Sequence, residues 1–214
     1  MVVAALSYFG WVGYQYFGTN APAQAAQKAE VSGLKEQWQS GGGANAPSPS
    51  DSATPGASAG SAAARPSLDQ AMAILRIPAF GDSYEVPIVA GTSDAALAKG
   101  VGWYDSTSLP GQIGNFAVAG HRITHGQPFA RLLELKQGDQ VIVETRTAVY
   151  TYVIDEAPST VTVQDVDSWV LDPVPGKTDV VPTRALITLT TCQDLFHSPD
   201  RSVGFGHLVN TVTK

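Results

Sequence analysis

The sequence holds one cysteine, two methionines and four histidines among 214 residues. A single cysteine forms no intramolecular disulfide, which excludes a disulfide-stapled scaffold. One Cys with four His does not build a Cys-rich zinc module. Charge is also scarce. Only 15% of residues are charged, 13 Lys and Arg against 19 Asp and Glu, for a formal net charge of −6. Such a chain lacks the clustered Lys and Arg that neutralise phosphates, which argues against nucleic acid as a partner. No Gly-rich loop follows a strand pattern, so no nucleotide site is signalled. No compact carboxylate group calls for calcium, and no metal or cofactor is expected. There is no internal repeat.

What is present is unevenly distributed. Residues 1–19 begin with the run Met1 to Phe17, which carries no charged side chain and is rich in aromatics: Tyr8, Phe9, Trp11, Tyr14, Tyr16 and Phe17. The run is short of the ~20 apolar residues of a spanning helix. A Trp/Tyr cluster closing an apolar run nevertheless suits the membrane–water interface, and the basic start of a signal peptide is missing. These residues read as the outer part of an N-terminal membrane anchor, with a signal peptide or a buried helix as the alternative.

Residues 20–39 are rich in Ala and Gln, with Pro22 suited to a first turn and Leu34 and Trp38 four apart on one face. They predict a helix, either a stalk or a helix packed on the domain. Residues 40–70 contain the low-complexity run GGGANAPSPSDSATPGASAGSAAARPS. It has almost no large apolar side chain to offset its ordering entropy, and reads as a flexible linker.

Residues 71–214 change character. Short β-type runs recur at Ala73–Ile77, Val86–Val89, Phe116–Gly120, Gln140–Glu144, Val149–Ile154, Leu186–Thr191 and Gly206–Val212, separated by turn signals such as Gly81-Asp82, Pro110-Gly111 and Gly138-Asp139. Two short helical stretches stand out, Ser93–Lys99 and Pro128–Leu135. About seven or eight strands in a segment of this length predict a mainly β domain, a barrel or a sandwich.

Cys192 ends the run Ala185 to Thr191, where a strand reaches the surface. A lone Cys is often core packing. An anchored extracytoplasmic domain has little use for an idle thiol, however, and the polar Gln193-Asp194 that follows argues against deep burial. A nucleophilic Cys needs a proton-transfer partner and a cation that favours thiolate. Of the histidines, His121 stands like Cys192 at a strand end before a polar loop. His125 lies in that loop, His197 follows Cys192, and His207 falls in the last strand as a structural or surface residue. Arg201, just before the final strand, is a guanidinium candidate for an oxyanion, with Arg122 and Arg184 competing.

The segments Pro110-Gly111-Gln112-Ile113-Gly114-Asn115-Phe116-Ala117-Val118-Ala119-Gly120-His121-Arg122 and Thr188-Leu189-Thr190-Thr191-Cys192 resemble the two signature regions of sortases, the cysteine transpeptidases that attach proteins to the cell wall of Gram-positive bacteria. The linker, the GYQYFGTN segment and Thr124-His125-Gly126-Gln127-Pro128-Phe129 are most similar to class E sortases of high-GC actinobacteria. The segment Ser202-Val203-Gly204-Phe205-Gly206-His207 departs from the apolar strand usual after the family's Arg, which leaves the length of the last strand open. The basic cytoplasmic flank of the family's anchor is also missing.

The resemblance implies a closed eight-stranded β-barrel with two short helices. It implies Cys192 as nucleophile, His121 as acid and base, Arg201 as oxyanion or substrate-Thr donor, and Thr190 and Thr191 lining the substrate site. It also implies secreted proteins with a LAxTG or LPxTG sorting signal as substrates and a peptidoglycan-precursor amine (lipid II) as acceptor, with the catalytic domain anchored outside the membrane. Two other readings remain beside it: another extracytoplasmic Cys hydrolase or transpeptidase, and a non-catalytic barrel with Cys192 buried. Deleting residues 40–67 from a soluble form is expected to leave peptide turnover largely unchanged, as measured by product release in vitro.

Overall fold

The computed structural model describes residue 18 and residues 20–41, 65–192 and 199–214, with only the backbone of Cys192. The apolar run at the N-terminus, most of the linker and His197 lie outside the described residues. Among the described residues, no helix is long and apolar enough to cross a membrane.

The β-branched runs pair into one sheet: β1 (Ala71–Arg76), β2 (Glu85–Ala90), β3 (Val101–Trp103), β4 (Gly114–Ala119), β5 (Gln140–Glu144), β6 (Ala148–Glu156), β7 (Thr162–Gln164), β8 (Ala185–Cys192) and β9 (Asp200–Thr213). The order β6-β5-β1-β2-β3-β4-β8-β9 is closed by pairing of β6 with β9, giving a ring of eight strands. Closure leaves these strands no free edge. The short β7 stands outside the ring, against the first residues of β9. All pairs in the ring are antiparallel except β2–β3 and β4–β8. The mainly β, eight-stranded barrel expected from the sequence is therefore present.

Alternation along each strand decides what is inside. On β1, Ala73 and Leu75 point into the barrel with Trp103, Phe116, Phe129, Tyr152 and Ile187, all of them fully buried. Each large apolar side chain buried in this way stabilises the fold by about 1.5–3 kcal/mol. The two large polar aromatics keep partners inside. The Trp103 indole donates to the Ser108 carbonyl (3.0 Å), and the Tyr152 hydroxyl accepts from Gly111 N–H (2.7 Å).

Between Ala73 and Leu75, Ile74 points outward, yet it is also fully buried, because a helix covers it. Helix α1 (Asn20–Gln39) lays Val31 and Leu34 on Ile74, with Trp38 beside them. An Ala- and Gln-rich helix of this length is marginal alone, so the barrel wall holds it. Of the two placements open for residues 20–39, the helix takes the packed one. Ion pairs continue the contact: Lys35 binds Glu85 (2.6 Å), Arg76 bridges Glu85 (3.0 Å) and Glu144, and Lys214 pairs with Glu144 (2.5 Å) while lying over the Trp38 ring.

Helix α2 (Asp94–Lys99) starts at Ser93, whose hydroxyl caps Ala96 N–H (3.1 Å), with Asp94 in the first turn and Lys99 in the last. Three sequence expectations are corrected. Residues 128–135 form only a 3-10 turn at Leu132–Glu134, preceded by the left-handed Gln127. Arg201 lies within the last strand instead of before it. That strand also runs unbroken through Gly204 and Gly206. These glycines are where neighbours come closest: a Cβ on Gly204 would stand 2.6 Å from the Pro158 ring, and one on Gly206 2.4 Å from the Val153 carbonyl.

Ile74→Ala removes the side chain shared by barrel wall and helix. It is expected to cost about 2–5 kcal/mol, read from the midpoint of urea denaturation.

Candidate active site

The site is built by strand register. β4 and β8 run parallel with Ala119 opposite Thr190, and β8 and β9 run antiparallel with Cys192 opposite Arg201. The chain leaves β4 through Gly120 and His121. Gly120 N–H donates to the Thr190 carbonyl (3.1 Å), and the Thr191 hydroxyl donates to the Gly120 carbonyl (2.8 Å). A Cβ on Gly120 would stand 2.6 Å from the Phe129 ring, so only glycine lets the strand end pass there. By backbone register, His121, Cys192 and Arg201 thus lie at one end of three neighbouring strands.

His121 is half-buried, and its ring stacks on His125, with centroids 4.7 Å apart and planes 29° apart. Burial and the neighbouring His125 hold its pKa below the usual histidine value of 6.5, with Asp94 opposing them. The imidazole is therefore mainly neutral at pH 7 and ready to accept a proton. The loop that carries His125 is strained. His125 (φ 51°) and Gln127 (φ 55°) are left-handed non-glycine residues on either side of Gly126 (φ 83°), each costing about 1–2 kcal/mol.

Arg201 is half-buried. Its guanidinium faces Asp165 (3.6 Å) and donates to the Asp200 carbonyl (3.1 Å). Thr190 and Thr191 are buried at 5% and 3% exposure. Thr190 donates to the Val118 carbonyl (3.4 Å) and lies 3.5 Å from the Tyr104 hydroxyl. Both threonines tie β8 to its neighbours as well as flooring the cleft.

That cleft has a volume of about 340 Å³ and is lined by His121, Arg201, Tyr104 and both threonines. Its opposite wall is the chain from Val163 to Leu171. The fully buried Asn115 holds this wall in place. Its amide donates to the carbonyls of Val170 (3.0 Å) and Asp172 (3.1 Å), and its oxygen accepts from the Thr188 hydroxyl (2.8 Å).

Arg184 and His207 fall elsewhere. Arg184 precedes β8 at the end opposite Cys192, and its carbonyl accepts from Gly114 N–H (3.0 Å). Arg122 follows His121, with its Nε buried. His207 pairs with Asp155 (2.8 Å) at a position opposite Leu186, away from the cleft. Tyr104, Asn115 and Asp165 were not singled out from the sequence as site residues. Asn115 had the strongest available signal, a polar residue opening an otherwise apolar strand. Among the described residues, no three His, Cys, Asp or Glu side chains stand together as metal ligands would.

The family model of the sortase domain matches residues 75–209, which takes in β4, β8 and the part of β9 that faces the site. The chain belongs to the sortase family. It is 34% identical to Sortase SrtE1 of Streptomyces coelicolor over 206 residues, covering 93% of this chain and 52% of that protein. The chain therefore spans about half the length of that curated relative. The solved structure of sortase E from Streptomyces avermitilis superposes with a TM-score of 0.62 at 37% identity, covering 69% of this chain and 93% of that one. Sortase E1 from Streptomyces coelicolor, solved with a tripeptide in its active site, gives 0.59 at 33%, covering 68% and 91%. The class E resemblance expected from the sequence is borne out by these sortases.

Asn115→Ala leaves the Asp172 carbonyl without its side-chain donor and the Val170 carbonyl with Thr188 alone (3.3 Å). It is expected to cost about 1–3 kcal/mol of stability and to raise KM for a sorting peptide more than it lowers kcat, as measured by urea denaturation and steady-state kinetics.

Proposed function

We propose that this chain is a class E cysteine transpeptidase that cleaves the Thr–Gly bond of a LAxTG or LPxTG sorting signal and passes the acyl group to an amine. The observation that carries the reading is the strand register, which sets Cys192 opposite Arg201 and brings His121 to the same end of β8.

In the proposed reaction the neutral imidazole of His121 takes the Cys192 proton, and the thiolate attacks the Thr carbonyl. The Sγ–C bond forms, and the negative charge that gathers on the carbonyl oxygen is held by the Arg201 guanidinium or by backbone donors. His121 returns the proton to the Gly amine as the C–N bond breaks, leaving a thioester on Cys192. An incoming amine then loses its proton to His121 and attacks the thioester. The new C–N bond forms and the thiolate leaves. Thr190 and Thr191 line the substrate site, and Asp165 keeps Arg201 turned toward the cleft.

The relative solved with a tripeptide in its active site supports a peptide as substrate, and the cleft here has room for a short extended one. The acceptor is a peptidoglycan-precursor amine, lipid II. Residues 1–19 anchor the protein in the cell membrane with the barrel outside. The products are surface proteins joined to the cell wall.

Cys192→Ala is expected to abolish transfer of a LAxTG or LPxTG peptide onto an amine while leaving the circular dichroism spectrum unchanged. His121→Ala and Arg201→Ala should each lose about 10²–10³-fold or more in kcat. Full activity in the Cys192 variant would sink the proposal. So would failure of a small alkylating reagent to modify Cys192 in the folded protein, the behaviour of a buried, idle thiol.

A further inference from the structure

The loop after His121 does not hold its shape unaided. Phe129 N–H closes it onto the His121 carbonyl (2.9 Å), and the Tyr84 hydroxyl binds the Pro128 carbonyl. Between these ties the backbone passes through three successive left-handed residues, two of them not glycine. Conformations of that kind persist where the surroundings over-determine them.

Here the surroundings are helix α1. Asn20, Gln24 and Gln27 occupy positions i, i+4 and i+7, one face of the helix. The Asn20 amide donates to the Ile123 carbonyl (3.1 Å), and its oxygen accepts from Gly126 N–H (3.0 Å). Gln24 donates to the Gly126 carbonyl (3.2 Å) and Gln27 to the His125 carbonyl (2.9 Å). Gln27 is only 4% exposed, an unusual burial for a glutamine on a surface helix. A Cβ on Gly126 would stand 2.8 Å from its amide. The His125 ring carried by this loop lies flat against His121, and its Nδ1 is buried with no hydrogen-bond partner among the described residues. Stacking, not a hydrogen bond through Nδ1, is what this ring offers its neighbour.

We propose that helix α1 is a positioning element of the active site: its Asn20–Gln24–Gln27 face fastens residues 123–126 so that His125 stays stacked on His121 and fixes the orientation of that imidazole. The proposal rests on the reading that His121 moves the protons of transfer. Gln24, Gln27 and His125 act through His121, as positioning residues.

The groups around His121 set the sign of the effect. His125 comes from its own loop, with Arg122 next in sequence, Asp94 from α2, Tyr104 from the segment after β3, and Arg201 with its partner Asp165 from the cleft. Burial and His125 disfavour the imidazolium, while Asp94 favours it. Releasing the loop weakens the first two, so the His121 midpoint rises toward its ordinary value.

The test uses the full chain and follows the ring Cε1–H signals of His121 by NMR across pH, beside the pH profile of peptide transfer. In Gln24→Ala/Gln27→Ala and in His125→Gln, the His121 midpoint is expected to rise. The limb of the rate profile that belongs to His121 should move to higher pH. Transfer at neutral pH should fall by up to about a hundredfold in kcat, the scale of a misplaced reacting group. An unchanged midpoint and profile in the folded double variant overturns the proposal. If that variant does not fold, an unchanged midpoint in His125→Gln does so instead. His121→Ala assigns the resonance. Transfer that survived in it would refute the role given to His121, whereas the NMR midpoints judge the positioning by α1 separately.

Discussion

The register of β8 between its two neighbours is the constraint on which everything else depends. Parallel pairing with β4 places Thr190 opposite Ala119, and antiparallel pairing with β9 places Cys192 opposite Arg201. A shift of one residue on either side would turn Ile187 and Leu189 out of the core and carry Cys192 to the other face. The burial that stabilises the barrel is therefore the same interaction that assembles the site.

Around this frame, precision comes from a few buried polar side chains. Thr188 and Thr190 share one face of β8 and Thr191 takes the other, yet each is hydrogen-bonded to a neighbouring segment: Thr188 to Asn115, Thr190 to the Val118 carbonyl and Thr191 to the Gly120 carbonyl. Each such bond is worth about 1 kcal/mol net, and leaving one of these groups unpaired costs more. This asymmetry makes the threonines poor candidates for replacement even where they touch no substrate. On the opposite flank, the charged residues of α1, β1, β2 and β5 alternate in sign, from Lys35 through Glu85 and Arg76 to Glu144 and Lys214. Ion pairs near a surface contribute little singly, and their value here lies in the network.

Much of this was legible in the sequence, and the exceptions have physical causes. Seven strands announced themselves by runs of β-branched residues. β3 and β7 did not, because three residues carry no period and their pairing is imposed by the strands beside them. Residues 128–135 mimic a helix through the spacing of Phe129, Leu132 and Leu133, but all the structure forms there is a 3-10 turn. Gly204 and Gly206 read as breaks in a strand, whereas they are the points where Pro158 and the Val153 carbonyl press against it. Cys192, His121 and Arg201 stand out as candidates because strand ends and motif order mark them. The amide face of α1 could not, because Asn and Gln in an Ala-rich helix carry no sign of what they bind until the loop they hold is seen.

The parallel pairing of β4 with β8 also bears on how the molecule forms. The Thr191–Gly120 bond links positions 71 apart in the chain, and the Thr188–Asn115 bond positions 73 apart. The loop entropy of such closures must be overcome before the contacts repay it, so long-range parallel pairing is slow compared with the neighbouring hairpins. β5 and β6 pair across a short turn, so this hairpin is expected to close before β4 meets β8. A nascent chain with its hairpins made but this seam still open has a thiol without its imidazole or guanidinium neighbours. On the proposed chemistry, the proton-transfer and oxyanion groups reach the thiol only when this last pairing is made.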